Sequence, residues 1–157
     1  MRKEIITAGG SAAAPDEEEW LDLERVARVE LTSEEGGHPI ESALAAGRGP
    51  GWRAAGSGEQ VVRVVFDEPR PVRRVRLEFE ERDESRTQEF VLRWSAEECG
   101  PARDLVRQQW NFHPPDGGVE VEDYRPGLSG VRVLELAITP DVGGGPARAS
   151  LKSLRIA

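Results

Sequence analysis

Apolar side chains alternate with charged or polar ones along one segment after another of this 157-residue chain. In the stretch VRLEFE, Val75, Leu77 and Phe79 are separated by an arginine and a glutamate. Because successive side chains of a β-strand point to opposite faces of a sheet, the pattern predicts a strand with one buried and one solvated face. Clusters of Gly, Pro and Asp separate these segments, as turns between short strands require.

The same alternation recurs in QEFVLRWS, LVRQQWNF and VLELAIT. We therefore predict an all-β fold, an antiparallel jelly-roll β-sandwich of about eight strands. The predicted strands span residues 25–32, 60–67, 72–81, 88–96, 103–112, 118–123, 130–139 and 148–156. One helix candidate, PIESALAAG at residues 39–47, starts with proline and ends with glycine.

The length of the chain fits one domain with a sizeable core. Residues 1–19 are rich in Gly, Ala, Ser and acids, a composition that buries little surface, and we predict a flexible acidic leader there. The sandwich domain is predicted to span residues 20–157. The opening of the chain lacks the apolar segment of a signal peptide, and Cys99 has no second cysteine to pair with, so we expect a cytoplasmic protein.

Acidic residues outnumber basic ones by 29 to 21, which gives a net charge of -8. Such a charge repels polyanions at long range, so we expect neither nucleic acid nor an anionic membrane as a partner. Many of the carboxylates lie in two runs, residues 16–19 and 78–84. This uneven distribution leaves room for a local basic face elsewhere on the surface.

Several segments resemble, in their order and spacing, the galactose-binding-like superfamily and within it the discoidin, or coagulation factor type C, domains. They are VARVELTSE, ALAAGRGPGW, QVVRVVFDEPRPVRRVRLEF, RTQEFVLRWSAE and ARASLKSLRI, and together they extend over residues 26–156. Members of this superfamily are mostly non-catalytic modules, attached to enzymes or surface proteins, that bind glycans, lipid head groups or proteins. The resemblance therefore implies a stand-alone jelly-roll protein similar to bacterial carbohydrate-binding modules.

Many sugar-binding relatives hold a structural calcium ion through an Asp in the Ala-rich turn and a Glu in the final strand. This chain has Ala46 and Ser153 at those positions, so two carboxylate ligands for a hard cation are missing. We therefore predict neither a metal site nor a cofactor.

The order of the predicted strands decides which loops can converge, because successive loops of a sandwich fall at alternate ends. One end gathers residues 32–59, 81–87, 113–117 and 139–147, and we call it the loop pole. The resemblance implies that ligands bind at this pole. An aromatic face with flanking Arg, His or Asp side chains suits a sugar ring and its hydroxyls. The predicted ligand-binding residues are His38, Trp52, Arg53, Arg86, His113 and Asp116, with Arg48 and Asp141 as further candidates.

Two alternatives stay open for Trp52, which either presents its ring to a ligand or plugs the end of the core. Trp94 and Trp110 share the parity of apolar neighbours and are predicted to lie in the core. His38 and His113 have no spacing specific to a metal or to catalysis, and no nucleophile or paired-carboxylate motif accompanies them.

The function that follows from these expectations is that of a binding module rather than an enzyme. We predict that it recognises a carbohydrate or glycan-like ligand through the loop pole. The alternative is an adaptor that binds a partner protein or another copy of itself. An exposed apolar patch would favour the adaptor, and a concave aromatic and polar pocket would favour the sugar. The oligomeric state is left open by the sequence.

Overall fold

The computed structural model describes residues 19–45 and 49–157. Within these residues the chain forms two one-turn helices, α1 (Leu23–Val26) and α2 (Glu41–Leu44), and ten strands. The strands are β1 (Ala27–Leu31), β2 (Trp52–Ser57), β3 (Gln60–Val72), β4 (Val75–Glu80), β5 (Arg86–Ser95), β6 (Arg103–Phe112), β7 (Val119–Tyr124), β8 (Leu128–Thr139), β9 (Arg148–Leu151) and β10 (Ser153–Ile156). The predicted leader lies almost entirely outside the described residues.

The strands form an antiparallel sandwich, which confirms the predicted fold class. A five-stranded sheet has the order β1-β3-β8-β5-β6, and a three-stranded sheet has the order β10-β4-β7. Strands β2 and β9 form a separate two-stranded sheet. Every pairing between described strands is antiparallel, as expected for short strands joined by turns.

The core lies between the two larger sheets. The predicted inward set of β4, Val75, Leu77 and Phe79, is almost completely buried. The ring of Phe79 stacks on that of Phe90 from β5, with centroids 5.3 Å apart, and so links the sheets. Offset aromatic pairs at this distance add to the free energy gained by burying their area.

The outer face of the five-stranded sheet carries a charged ladder that crosses all five strands. Successive cross-strand partners alternate in sign in the order Glu30, Arg63, Glu135, Arg93 and Asp104. Neighbouring members of the ladder form ion pairs. Opposite charges placed directly across a sheet stabilise it modestly and keep the face solvated. This face is therefore a poor site for an apolar partner.

The strand boundaries differ from prediction at two places near the loop pole. The segment predicted as one strand over residues 148–156 is broken at Lys152 into β9 and β10, which pair in different sheets. Strand β2 lies inside the predicted loop 32–59, because its small residues WRAAGS give little signal of a strand. Pairing of Trp52 with Leu151 and burial of Trp52 and Ala54 hold it in place.

At the opposite end, no turn separates the predicted strand 60–67 from residue 72, because β3 continues through the segment DEPRP to Val72. The pairing of β3 with β8 shifts register between Val65 and Arg70, so the prolines fall where the ladder is irregular. The predicted start of the first strand is instead α1. The helix candidate at residues 39–47 is confirmed as the single turn α2, although its end lies outside the described residues.

Candidate binding site

A cleft with a volume of about 280 Å³ opens at the loop pole. One wall is built from β2 and β9, and the other from the end of β4 and the turn that leads to β5. Its lining is mostly charged, with an apolar floor. The lining residues are His38, Pro50, Trp52, Arg53, Glu80, Glu81, Arg82, Asp83, Arg86, Arg148, Ser150, Leu151 and Lys152.

The loops predicted to converge at the pole do lie together. The backbone amide of Val142 donates to the carbonyl of Thr87 at 2.8 Å, and that of Glu81 donates to Gly118 at 2.7 Å. These hydrogen bonds tie the segments 81–87, 113–118 and 140–147 to one another. The segment 81–87, which forms part of the cleft wall, is therefore held by hydrogen bonds to its neighbouring loops.

Trp52 plugs the end of the core, which resolves the alternatives left open by the sequence. Its side chain is 1% exposed, and its indole Nε1 donates to the carbonyl oxygen of Ser33 at 3.1 Å. The preceding Gly51 has a φ of +88°, and a Cβ there would come within 2.6 Å of the Leu151 carbonyl oxygen. Glycine thus lets β2 approach β9 closely enough to bury the indole. Of the two alternatives, burial supports the core plug and argues against Trp52 as a ring that stacks on a sugar.

Arg86 also has an internal role. Its side chain is 3% exposed, its Nε donates to Glu81 at 2.7 Å and its Nη1 donates to the carbonyl oxygen of Pro140 at 2.5 Å. Burial raises the pKa of the Glu81 carboxyl, but the hydrogen bond and charge of Arg86, together with hydrogen bonds from the backbone amides of Asp83 and Arg82, outweigh this effect, so the pKa is lowered and the group stays ionised. Arg86 borders the cleft as a residue that positions its wall, and the prediction that its guanidinium is available to a ligand is corrected.

Arg53 and Arg148 are the accessible cations of the β2–β9 wall. Arg53 Nε lies 3.7 Å from one oxygen of Glu35, and Arg148 Nη1 lies 3.5 Å from the other. The backbone amide of Arg53 donates to the carbonyl of His38, which places the half-buried histidine beside it. Lys152 Nζ lies 3.4 Å from the carbonyl oxygen of Gly49.

On the opposite wall, both arginines are neutralised by neighbouring glutamates. Arg82 forms an ion pair with Glu80, and Arg86 pairs with Glu81. Asp83 follows at the exposed turn. The two walls therefore differ in charge, and the β2–β9 wall is the more basic.

The remaining predicted residues lie outside the cleft. His113 is exposed, its Nδ1 is 3.0 Å from the carbonyl oxygen of Asn111, and its ring covers Gly117, where a Cβ would come within 2.4 Å of it. Asp116 is exposed on the same turn. The Asp141 carboxylate accepts a hydrogen bond from the Gly143 amide at 3.0 Å and so caps its own turn. Arg48 lies outside the described residues.

Sequence reasoning missed a buried polar cluster between the edge strands β6 and β7. Glu120 is 1% exposed, and neither of its carboxylate oxygens has a hydrogen-bond partner among the described residues. Burial raises the pKa of Glu120 to about 7, repulsion from Glu122 adds to the rise, and Arg86 opposes it. The amide nitrogen of Gln88 and the indole nitrogen of Trp110 are likewise buried without a partner in this part of the chain.

The strand pattern carries a weak signal for this cluster. Glu120 and Glu122 share one parity of β7, and Val119 and Val121 share the other. The valines are half exposed and Glu120 is buried, the reverse of the usual arrangement. Trp94 and Trp110, both predicted to lie in the core, are partly buried and pack against it.

The donor set for the calcium ion implied by the sequence resemblance is not present among the described residues. No three His, Cys, Asp or Glu side chains there are grouped so that they could hold a metal ion. Ser153 lies on β10 opposite Glu78, and Ala46 lies outside the described part of the chain. Neither described helix is long and apolar enough to span a membrane.

No protein-family model and no curated protein sequence matches the chain. Solved structures do match it over most of its length. The family 32 carbohydrate-binding module of NanJ from C. perfringens, in complex with galactose, is 16% identical and gives a TM-score of 0.59 over 83% of this chain and 92% of that one. The family 32 module of AlyQ, in complex with 4,5-unsaturated mannuronic acid, is 15% identical with a TM-score of 0.62 over 89% and 98% of the two chains.

The same architecture also occurs outside the carbohydrate-binding modules. XRCC1, in a complex with the catalytic domain of DNA polymerase β, is 18% identical and gives a TM-score of 0.56 over 84% of this chain and 96% of that one. At these identities the likeness concerns the fold alone, and it agrees with the resemblance found in the sequence. The chain has the jelly-roll fold seen in these family 32 carbohydrate-binding modules.

Proposed function

We propose that this protein is a non-catalytic binding module that holds a carbohydrate in the cleft at the loop pole. The observation that carries the proposal is the cleft itself, in which the exposed apolar ring of Pro50 lies beside the exposed donors Arg53 and Arg148. Sugar sites combine a small apolar surface with a few polar groups that fix hydroxyl positions. A galactose and an unsaturated mannuronic acid are bound by the NanJ and AlyQ modules of the same fold, which supports the proposal.

The volume and chemistry of the cleft favour binding over catalysis. At about 280 Å³ the cleft is near the lower end of small-molecule sites, so it suits one or two sugar rings rather than a long chain. Hydrolysis of a glycosidic bond requires a carboxylic acid that is protonated near neutral pH. Glu80 and Glu81 are instead held in ion pairs, and the pKa of Glu81 is lowered. Glu81 is therefore a poor general acid.

A protein partner is the second candidate, and one observation favours it. Val119 and Val121 are 50% and 47% exposed side by side on β7. Strand β7 pairs only with β4 among the described strands, so its other edge is open. An open edge with apolar side chains is a surface to which another chain can bind. A cytoplasmic location, which we also propose, would favour this role because polymeric glycans lie mostly outside cells.

A glycan array followed by calorimetry separates the two roles. Carbohydrate binding by the wild-type protein, weakened in Arg53→Ala and Arg148→Ala, would support the sugar site. Arg107→Ala is the matched control, because Arg107 is 56% exposed and paired with Glu89 on a different part of the surface. Failure of every array glycan to bind, together with capture of a partner that Val121→Asp abolishes, would replace the carbohydrate proposal with the protein one.

A further inference from the structure

We propose that the ligand is an acidic sugar, whose carboxylate or sulfate group binds between Arg53, Arg148 and Lys152. This inference rests on the proposed carbohydrate function and adds the chemical class of the sugar. The pairing of charges in the cleft and the positions of the three cations on its wall support an anionic ligand.

Two guanidinium groups on the β2–β9 wall share a single carboxylate. Glu35 lies 3.7 Å from Arg53 and 3.5 Å from Arg148, longer than a good charge-assisted hydrogen bond in both cases. The arginine side chains are 50% and 40% exposed, so most of their donors are accessible to a ligand. One positive charge on this wall is therefore left without a counter-ion.

Lys152 adds a second positive charge to the same wall. Among the described residues its ammonium group contacts the carbonyl oxygen of Gly49, at 3.4 Å, and this contact does not neutralise it. The opposite wall offers no comparable excess, because Arg82 and Arg86 are paired with Glu80 and Glu81. The surplus is local, since the chain as a whole carries a net charge of -8.

The strand register explains why these cations converge. Arg148, Ser150 and Lys152 alternate with buried Ala149 and Leu151, so the three polar side chains point to one side and line the cleft.

Arg53 pairs with Ser150 across β2 and β9, Arg148 lies two residues before Ser150 on β9, and Lys152 lies two residues after it, at the bend that follows the strand. An anionic group above Ser150 would have a cation on each side and one across from it. The planar fork of a guanidinium group matches the oxygens of a carboxylate or sulfate.

Calorimetric titration with three sugars of the same ring tests the inference: galactose, galacturonate and galactose 6-sulfate. We expect both acidic sugars to bind about tenfold or more tightly than galactose, because hydrogen bonds to charged groups are the stronger ones. The advantage should shrink at high salt, since the cations are exposed. An advantage shown by only one acidic sugar would identify the source of the anion and would also support the proposal.

Variants separate this inference from the proposed function. Arg148→Gln should remove most of the acidic advantage, Arg148→Lys should keep part of it, and Arg107→Gln should leave it unchanged. Equal affinity for galactose and the acidic sugars, unaffected by Arg148→Gln, would overturn the acidic ligand and leave carbohydrate binding in place. Absence of binding by neutral and acidic sugars alike would overturn both.

Discussion

The guanidinium carbon of Arg86 lies 4.7 Å from the ring centroid of Phe112, its cross-strand partner at the ends of β5 and β6. This contact, together with the bonds to Glu81 and Pro140, makes Arg86 the residue that joins the loops bordering the cleft. A cation over an aromatic ring is stabilised further when both are removed from water. Arg86 is thus a structural arginine at the edge of the cleft, and other cationic side chains of the cleft are the ones accessible to a ligand.

Replacing Arg86 should destabilise the fold far more than replacing its neighbour Arg82. Arg86→Ala leaves the partly buried Glu81 without its counter-ion, and we expect a loss of about 3 kcal/mol in the free energy of unfolding. Arg82 is 79% exposed, so Arg82→Ala should cost less than about 1 kcal/mol. Chemical denaturation of both variants measures the difference. Equal losses in the two would contradict the structural role given to Arg86.

Glu120 should make the protein less stable as the pH rises towards neutrality. Its pKa of about 7 in the folded protein exceeds the usual 4.5, so the folded state binds more protons than the unfolded state between these values. The free energy of unfolding therefore falls as the pH rises from about 4.5 to 7 and stays reduced above that range.

Glu120→Gln removes the buried charge and should stabilise the protein at alkaline pH. We expect a gain on the order of 3 kcal/mol above neutrality and little change at acidic pH, because each pKa unit of the shift represents about 1.4 kcal/mol. Urea denaturation across the pH range provides the measurement, with Glu68→Gln at an exposed position of β3 as control. If the free energy of unfolding of Glu120→Gln changed with pH as it does in the wild type, ionisation of Glu120 would not be what destabilises the protein at higher pH.

Trp52→Ala should reduce stability rather than ligand affinity alone. The substitution empties a fully buried site and removes the hydrogen bond to Ser33, and large-to-small changes of this kind cost about 3–5 kcal/mol. Thermal and chemical unfolding measure the loss. If Trp52→Ala kept the wild-type stability and lost sugar binding, the indole would be a ligand platform and the buried assignment would be wrong.

Calcium should not stabilise the protein. The two carboxylates that relatives use are replaced by Ala46 and Ser153, and hard cations need several oxygen ligands with negative charge. Since stabilisation depends on the ratio of ligand concentration to Kd, weak binding at millimolar calcium should add less than about 1 kcal/mol. The melting temperature should therefore be the same with calcium and with chelator. A rise of many degrees with calcium, reversed by chelator, would reveal a site that this chain builds differently.

The fold was predictable from the sequence because period-two alternation reports burial directly. Val75, Leu77 and Phe79 follow it without exception, whereas the central strands β5 and β8 follow it only in part, because Val91 and Ala137 are buried together with their neighbours. The convergence of loops at one pole followed from strand order alone. Strand β2 escaped prediction because its stability comes from pairing with a distant segment, and its own composition carries no signal.

The site was predictable in part. Arg86 has the parity of buried Gln88 and Phe90 on β5, so its burial could have been expected from the alternation that located the core. The direction of the Trp52 ring depends on the close approach of Gly51 to β9, a contact between residues far apart in sequence. The importance of Arg148 and Lys152 likewise depends on their register with Arg53, which sequence spacing does not give.

Backbone chemical shifts in a titration with galacturonate test the central claim most directly. In an isotopically labelled protein, we predict that the amide signals of residues 52–53 and 148–152 shift progressively as the sugar is added. The signals of Val119 and Val121 should stay in place. Shifts confined to β7, or no shifts at saturating sugar, would contradict a carbohydrate site in the cleft at the loop pole.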